Sequence, residues 1–146
     1  MTSRKPKSNA ILIGIAGGTG SGKTSIAKAL MKELGREDVV VLEQDSYYHD
    51  LGHLPPAERM YVNFDHPDSV DFKRMQQDLK ALLAGKSVDV PIYDYSAHTR
   101  KAETRHLSGH QLIVLEGILV LADPAVRELM DIKIYVDTAD DVRIIR

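Results

Sequence analysis

The chain has 146 residues, of which 43% are hydrophobic and 27% are charged, and its formal net charge is −2. This length accommodates one domain with a hydrophobic core but not two, and the low charge argues against a protein that binds nucleic acid through its phosphates. The sequence has no cysteine and no apolar run near the roughly 20 residues that span a bilayer. We therefore expect no disulfide, no thiolate metal site, no membrane partner and a cytoplasmic location, with a flexible basic tail over 1–9 and one domain over 10–146.

Four apolar runs predict buried strands, and helical patterns lie between them. The runs are rich in Ile, Val and Leu without polar alternation, as in parallel strands covered on both faces; they span 10–16, 39–44, 112–117 and 132–137. Apolar residues at helical spacing predict one helix over 26–34 that ends at Gly35, a second over 72–83 that ends at Gly85, and a short third that Asp123 caps and that runs to Met130. This alternation predicts an α/β fold with a mainly parallel sheet.

The segment from Val88 to Arg100 breaks that pattern. Its first half, VDVPIY over 88–93, alternates apolar with other residues, which predicts an edge β-hairpin beside the sheet. The same alternation predicts that Tyr93 and Tyr95 share one face, opposite the aliphatic side chains of the strand. Two rings on one face either line a slot for a flat ligand or pack as a cross-strand cluster, and the residues alone favour the cluster.

A phosphate-binding motif follows the first predicted strand. The pattern GxxxxGK[ST] is matched by Gly17, Gly18, Thr19, Gly20, Ser21, Gly22, Lys23 and Thr24. Glycines let backbone N–H groups converge on phosphate oxygens, and the start of the following helix adds its positive end. Lys23 would reach the β- and γ-phosphates and Thr24 would ligate Mg²⁺. A glycine-rich turn without a ligand is the weaker interpretation, because a strand precedes the motif and a helix follows it. The motif predicts a P-loop NTPase-type three-layer fold.

Two acidic residues follow or end predicted strands and so should face this motif. Asp45 comes just after the run over 39–44, and Glu116 lies near the end of the run over 112–117. Ligands of such sheets gather beyond the carboxyl ends of the strands. Glu116 is therefore a candidate second anchor for the metal, and Asp45 a candidate general base and further metal ligand. Both residues also have a plain interpretation, as solvated or helix-capping acids.

The chain also resembles a known family, the uridine kinases. The resemblance runs from about Ile11 to the last residue and is carried by the stretches GGTGSGKT, QDSYY (44–48), NFDHPD (63–68), PIYDYSAHTR (91–100), LEGIL (115–119) and VDTADDVRIIR (136–146). It implies transfer of the γ-phosphate of ATP or GTP, with Mg²⁺, to the 5′-hydroxyl of uridine or cytidine, in pyrimidine salvage. It also implies a homotetramer.

The resemblance assigns roles around the sugar to several residues. Asp45 matches the base that takes the proton of the 5′-hydroxyl, and Tyr48 matches a residue near the sugar, whereas Tyr47 is expected only to pack. Asp65 matches the acid that binds the ribose diol, for which a carboxylate offers two acceptor oxygens. Without the resemblance, DHPD is an ordinary turn before a helix. Arg143 matches an arginine near the ribose.

The resemblance also implies a pocket for the pyrimidine ring. Phe64 matches one wall of that pocket and Tyr95 matches a residue that flanks the ring. Tyr93 and His98 match residues that hydrogen-bond the edge of the base. Taken alone, Tyr93 and Tyr95 would be packing residues and His98 a surface residue.

Members of that family continue beyond the position of Arg146 with an arginine-rich lid, another strand and a closing helix, and the resemblance places 138–146 in a helix.

Two other classes of function stay open. One is another P-loop kinase, such as a phosphoribulokinase or pantothenate kinase, which would share the P-loop and both acids but not the pyrimidine pocket. The other is a nucleotide-binding module without catalysis. A GTPase is less favoured, since the sequence has no N-K-x-D motif.

Overall fold

A computed structural model describes residues 10–17, 28–29, 32–33, 39–108, 111–138 and 141–145. The strands in these ranges are β1 (Ile11–Gly17), β2 (Val39–Glu43), β3 (Val88–Asp94), β4 (Thr99–Leu107), β5 (Leu112–Gly117), β6 (Ile132–Thr138) and β7 (Asp141–Ile145). Five of them form one sheet in the order β2-β5-β1-β6-β7, and β3 and β4 form a separate two-stranded sheet. The first four strands of the large sheet are parallel, as the apolar runs predict.

Three helices in the described ranges are α1 (Pro56–Arg59), α2 (Phe72–Leu83) and α3 (Pro124–Leu129). The predicted caps are present: the side chain of Asp123 accepts a hydrogen bond from the backbone N–H of Val126, and Gly85 follows α2 with a φ of +81°. Residues 28, 29, 32 and 33 are helical and exposed, in agreement with a helix whose apolar stripe lies elsewhere; the rest of 26–35 lies outside the described residues. No helix in the described part of the chain has the length and apolarity to cross a bilayer.

Both faces of the large sheet are buried. Leu12, Ile113 and Leu115 belong to a core cluster with residues of α2 and α3, including Met75. Their neighbours on the opposite face form a second buried cluster: Ile13, Ile15, Val39, Leu112, Val114 and Val136. This double burial explains why the strands have no polar alternation and confirms the predicted α/β architecture.

The predicted hairpin is present. The register of β3 against β4 shifts between Pro91 and Tyr93. Val90 belongs to the main core cluster, and Val88 packs against it. Tyr93 is not part of that cluster and contacts Tyr95, which lies in the turn after β3, at 5.5 Å between ring centroids. The two tyrosine rings therefore lie together and away from these valines, as predicted.

The helix predicted over 138–146 is also not observed. Residues Asp141–Ile145 form β7, which pairs antiparallel with β6. Val142, Ile144 and Ile145 are β-branched and favour an extended backbone, and the free side of β6 offers the hydrogen-bonding groups that the strand needs. Arg143 therefore lies opposite Tyr135 in this ladder.

Candidate functional site

The carboxyl ends of three adjacent parallel strands bring the predicted phosphate chemistry together. Glu116 in β5 pairs with Glu43 in β2, and the next residue of β5, Gly117, pairs with Ala16 in β1. Gly17 is the last residue of β1, so the P-loop sequence leaves the sheet beside Glu116. Residues 18–24 of the motif, including Lys23 and Thr24, lie outside the described residues.

An acidic cavity opens at this edge of the sheet. It measures about 150 Å³ and is lined by Glu43, Asp45, Tyr48, Asp65, Glu116, Gly117 and Ile118. Asp45 belongs to a 3₁₀ turn, Gln44–Tyr47, that follows β2 directly. Glu116 is 8% exposed, whereas Asp65 is exposed on the loop before a second 3₁₀ turn, Pro67–Ser69. The predicted base, metal anchor and ribose acid thus line one cavity.

The residues of this cavity suit a hard divalent cation. Mg²⁺ is bound by carboxylate oxygens together with substrate phosphates and water rather than by an all-protein cage. Asp45 and Glu116 supply such oxygens beside the start of the P-loop. The described residues contain no cluster of three or more His, Cys, Asp or Glu that could hold a metal by itself. The donor set therefore fits a cation that arrives with a nucleotide.

A second, aromatic cavity lies next to the acidic one. It measures about 250 Å³ and is lined by Asp45, Tyr48, Phe64, Tyr93, Tyr95 and His98. Phe64 and His98 stack at 5.0 Å between ring centroids, and Phe64 also contacts Tyr48 at 4.8 Å. Tyr93 contacts Tyr48 and Tyr95, each at 5.5 Å. All four residues predicted for the pyrimidine pocket line this cavity.

Tyr48 and Asp45 line both cavities. Burial, and then the negative charge of Asp45 and a hydrogen bond to it, raise the pKa of Tyr48 above its usual value. Burial and the charges of Asp45 and Glu43 raise the pKa of Tyr95 in the same direction. Both phenols therefore keep their protons at neutral pH, and Tyr48 donates its proton to the Asp45 carboxylate.

The hydroxyl of Tyr93 already has a partner in the protein. It donates to the backbone carbonyl of His49 at 3.1 Å, and burial raises the pKa of Tyr93 to about 12. A phenol that donates its proton can still accept a hydrogen bond. A ligand that meets Tyr93 therefore has to supply the donor.

His98 is held in the cavity by an unusual backbone conformation. Its φ is +57°, a left-handed value that is uncommon outside glycine, although asparagine, aspartate and histidine are enriched there. The N–H of His98 donates to the carbonyl of Asp94 at 2.8 Å, and the carbonyl of His98 accepts from the N–H of Leu51 at 3.1 Å. Hydrogen bonds from Ser96 and Ala97 to the Asp94 carboxylate complete the turn and lower the pKa of Asp94.

Two arginines that the sequence interpretation missed hold this site in place. Arg59 donates to the carbonyls of Leu54 and Ala97, each at 2.9 Å, and so ties the loop before α1 to the turn that carries His98. Arg100 donates to the carbonyl of Tyr48 and to the carboxylate of Asp71, each at 3.2 Å. Arg100 is the last residue of the PIYDYSAHTR stretch. The position of a cation directly after these aromatic residues was the sequence feature that could have indicated its role.

Of the predicted substrate residues, Arg143 is the exception. It lies on β7 opposite Tyr135, and its side chain is not among those described. Tyr47 is a packing residue, as expected: it is fully buried and its hydroxyl donates to Asp78 at 2.9 Å.

The chain is similar in sequence to proteins named uridine kinase. It matches the model of the Phosphoribulokinase / Uridine kinase family over residues 12–146. It is 48% identical over 136 residues to the uridine kinase of Ligilactobacillus salivarius (strain UCC118), covering 93% of this chain and 64% of that protein. It is 49% identical over 136 residues to the uridine kinase of Streptococcus gordonii, covering 93% of this chain and 65% of that protein. The chain thus spans just under two thirds of the length of these relatives.

Solved structures share the fold at low sequence identity. A phosphoribulokinase from Rhodobacter spheroides has a TM-score of 0.63 and 16% identity, covering 87% of this chain and 50% of that chain. A "Possible Uridine Kinase" from Bacillus stearothermophilus has a TM-score of 0.63 and 22% identity, covering 92% and 72%. These likenesses confirm the fold of P-loop kinases. Together with the family match over residues 12–146, they show that the chain belongs to the phosphoribulokinase/uridine kinase family.

Proposed function

We propose that this protein is the nucleotide-binding and acceptor-binding part of a nucleoside kinase, which transfers the γ-phosphate of ATP or GTP to the 5′-hydroxyl of uridine or cytidine. One observation carries the proposal: Asp45 and Tyr48 line both the acidic cavity and the aromatic cavity. A group at that junction reaches the reacting phosphate from one side and the acceptor hydroxyl from the other. The sequence similarity to uridine kinases supports the same conclusion.

Asp45 is the residue that we assign to proton transfer. A carboxylate beside the acceptor hydroxyl accepts its proton as the oxygen attacks the phosphorus. Tyr48, which keeps its own proton, hydrogen-bonds Asp45 and so orients the carboxylate. Asp65, on the exposed side of the acidic cavity, offers two acceptor oxygens to a ribose diol.

Lys23, Thr24 and Glu116 are the residues that we assign to the nucleotide. The ammonium group of Lys23 would contact the β- and γ-phosphates, and Thr24 and Glu116 would supply oxygen ligands for Mg²⁺. When bound, Mg²⁺ neutralises charge that develops on the transferred phosphoryl group. Four carboxylates line the acidic cavity, so a nucleotide without its cation meets repulsion there.

The lining of the aromatic cavity favours an uncharged, flat acceptor over a sugar phosphate. Among the described residues neither cavity is lined by lysine or arginine, and a sugar phosphate would leave its own phosphate unpaired. The stacked pair Phe64 and His98 and the ring of Tyr95 instead offer faces to a planar base. A phosphoribulokinase-type acceptor is therefore less well supported than a pyrimidine nucleoside.

A competition among acceptors tests the proposal. The protein for this test is the extended chain, defined as this chain continued after Arg146 by the matching C-terminal third of the Streptococcus gordonii uridine kinase. We expect phosphorylation of uridine and cytidine by radiolabelled ATP, none of ribulose 5-phosphate or pantothenate, and a loss of the reaction on Asp45→Asn. Preferred phosphorylation of either control acceptor would contradict the proposal.

A further inference from the structure

Gln44 is a polar residue to which the proposed reaction assigns no role. It lies directly before Asp45 and is fully buried. Its Oε1 accepts a hydrogen bond from the backbone N–H of Leu119 at 2.5 Å. Leu119 lies just beyond the end of β5, so this bond joins the segment that leaves β2 to the segment that leaves β5.

Gly117 provides the space for this side chain. A Cβ at position 117 would lie 2.4 Å from the Cβ of Gln44 and 2.5 Å from its Oε1, closer than such atoms approach in real proteins. Any residue other than glycine would therefore move Gln44 away from Leu119. Gly117 follows Glu116 directly, so the contact lies beside the proposed metal anchor.

The hydrogen bonding of Gln44 does not suit a residue kept for stability. Its Nε2 is buried and has no hydrogen-bond partner among the described residues, and a buried donor without a partner destabilises the folded state. Methionine, which has a similar length and no polar hydrogen, would fill the same space without that cost. The feature that only the amide provides is its bond to Leu119.

We propose that Gln44 is a positioning residue that sets the separation of Asp45 and Glu116. The inference rests on the proposed function, which assigns those two carboxylates to the proton and to the metal. The pairing of β2 with β5 ends at Glu43 and Glu116, so the sheet alone does not fix the turn that carries Asp45. The Gln44–Leu119 bond extends the connection past that point. Because a misplacement of about 1 Å can lower a rate about 100-fold, this link acts on the chemical step.

The variant Gln44→Met separates positioning from stability. It removes the buried Nε2 donor, which has no partner among the described residues, but leaves the Leu119 N–H without its acceptor. The two effects offset each other, so the thermal midpoint should change by no more than a few degrees. In the extended chain we expect kcat for uridine to fall at least tenfold while KM for uridine changes less than threefold. Gln77→Met, the same change at an exposed position of α2, should alter neither kcat nor KM for uridine.

Hydrogen exchange in the 146-residue chain gives a readout that does not depend on activity. The Leu119 amide should exchange at least tenfold faster in Gln44→Met than in the wild type, with the Leu115 amide in the core of β5 unchanged. Gly117→Ala displaces the Gln44 side chain instead of changing it. This variant should also accelerate hydrogen exchange at the Leu119 amide. If Gln44→Met proves unstable, the exchange in Gly117→Ala decides.

The outcomes distinguish this inference from the proposed function. If kcat of Gln44→Met stays within threefold of the wild type, or falls only in proportion to the folded fraction, the positioning role is wrong even though Asp45→Asn is inactive. If the wild-type extended chain phosphorylates no nucleoside, the proposed function fails. In that case unchanged exchange at Leu119 would also overturn the link, and faster exchange would retain it as a structural connection between the two loops.

Discussion

The rings of Phe64 and His98 stack with their centroids 5.0 Å apart and their planes inclined by 21°. His98 reaches this position from a left-handed backbone conformation, which asparagine also tolerates. We expect His98→Asn in the extended chain to keep the turn but to lose the ring and the hydrogen bond that it would make to the base under the proposed function. A lost partner of this kind costs about 1–3 kcal/mol, so KM for uridine should rise about tenfold or more.

Steady-state kinetics with uridine and with ATP check this prediction. The KM for ATP should not change, and His53→Asn, at an exposed histidine outside the aromatic cavity, should behave as the wild type. An unchanged KM for uridine in His98→Asn would mean that the stack only packs the hairpin turn.

Asp45→Asn tests the proton acceptor. The amide keeps the shape of the side chain but does not accept the proton of the attacking hydroxyl, so kcat should fall by about 10²–10⁴. Uridine binding, measured by calorimetry, should change much less. Asp68→Asn is the matched control, because the side chain of Asp68 is 94% exposed. A variant within a few-fold of the wild-type kcat would move the base to another residue.

Lys23→Ala tests the phosphate contact that the P-loop motif predicts. Loss of the Lys23 ammonium group, which would neutralise the β- and γ-phosphates, should weaken binding of Mg·ATP to the 146-residue chain at least tenfold in calorimetry. Circular dichroism should show an unchanged fold. Lys73→Ala, at an exposed position of α2, is the control; equal affinities in the two variants would refute the P-loop assignment.

Tyr47→Phe tests the buried network beneath the site. The Tyr47 hydroxyl donates to Asp78 at 2.9 Å, and Arg74 also binds that carboxylate at 3.2 Å. Removal of one partner from a buried acceptor should lower the free energy of unfolding by about 1–3 kcal/mol in urea titrations. Tyr61→Phe changes a side chain that is 83% exposed and should have no effect. Equal stability of both variants would show that Asp78 does not need the phenol.

The same tyrosine predicts how stability responds to alkaline pH. Burial, and then Asp78, raise the pKa of Tyr47 in the folded state above its usual value. The folded protein therefore holds this proton more tightly than the unfolded chain, so the contribution is complete below about pH 10 and is lost as the pH rises above it. Urea titrations should be run at several values between about pH 8 and about pH 11. The free energy of unfolding should fall more steeply with pH in the wild type than in Tyr47→Phe. Parallel curves would contradict the assignment.

The sequence predicted the large sheet well because its signals are local. Runs without polar alternation identified the four parallel strands, and single residues such as Asp123 and Gly85 located helix ends. The part of strand β4 that follows Arg100 has no apolar pattern from which a strand could be predicted. Its residues 101–106 are all exposed, so burial imposes no pattern on them. The strand β7 was missed for a different reason, since the resemblance to a family outweighed the β-branched residues of the segment.

The composition of the candidate site was predictable, but its internal support was not. Asp45, Glu116 and the aromatic residues were identifiable from strand ends and from the resemblance. The bonds from Gln44 to Leu119, from Arg59 to Ala97 and from Arg100 to Tyr48 join positions far apart in the chain. Each ends on a backbone carbonyl or amide, which is the same for every residue type. A pattern of side chains carries no record of such partners.

The residues of the aromatic cavity all come from one continuous piece of chain. That piece leaves the sheet after β2, folds as its own turns, helices and hairpin, and returns at β5. The strands on either side of it are neighbours in the sheet, and its helix α2 packs on one face of that sheet. The lining of the proposed acceptor pocket is therefore contiguous in sequence, so a single exchange of the segment between β2 and β5 would replace all of it together with Asp45.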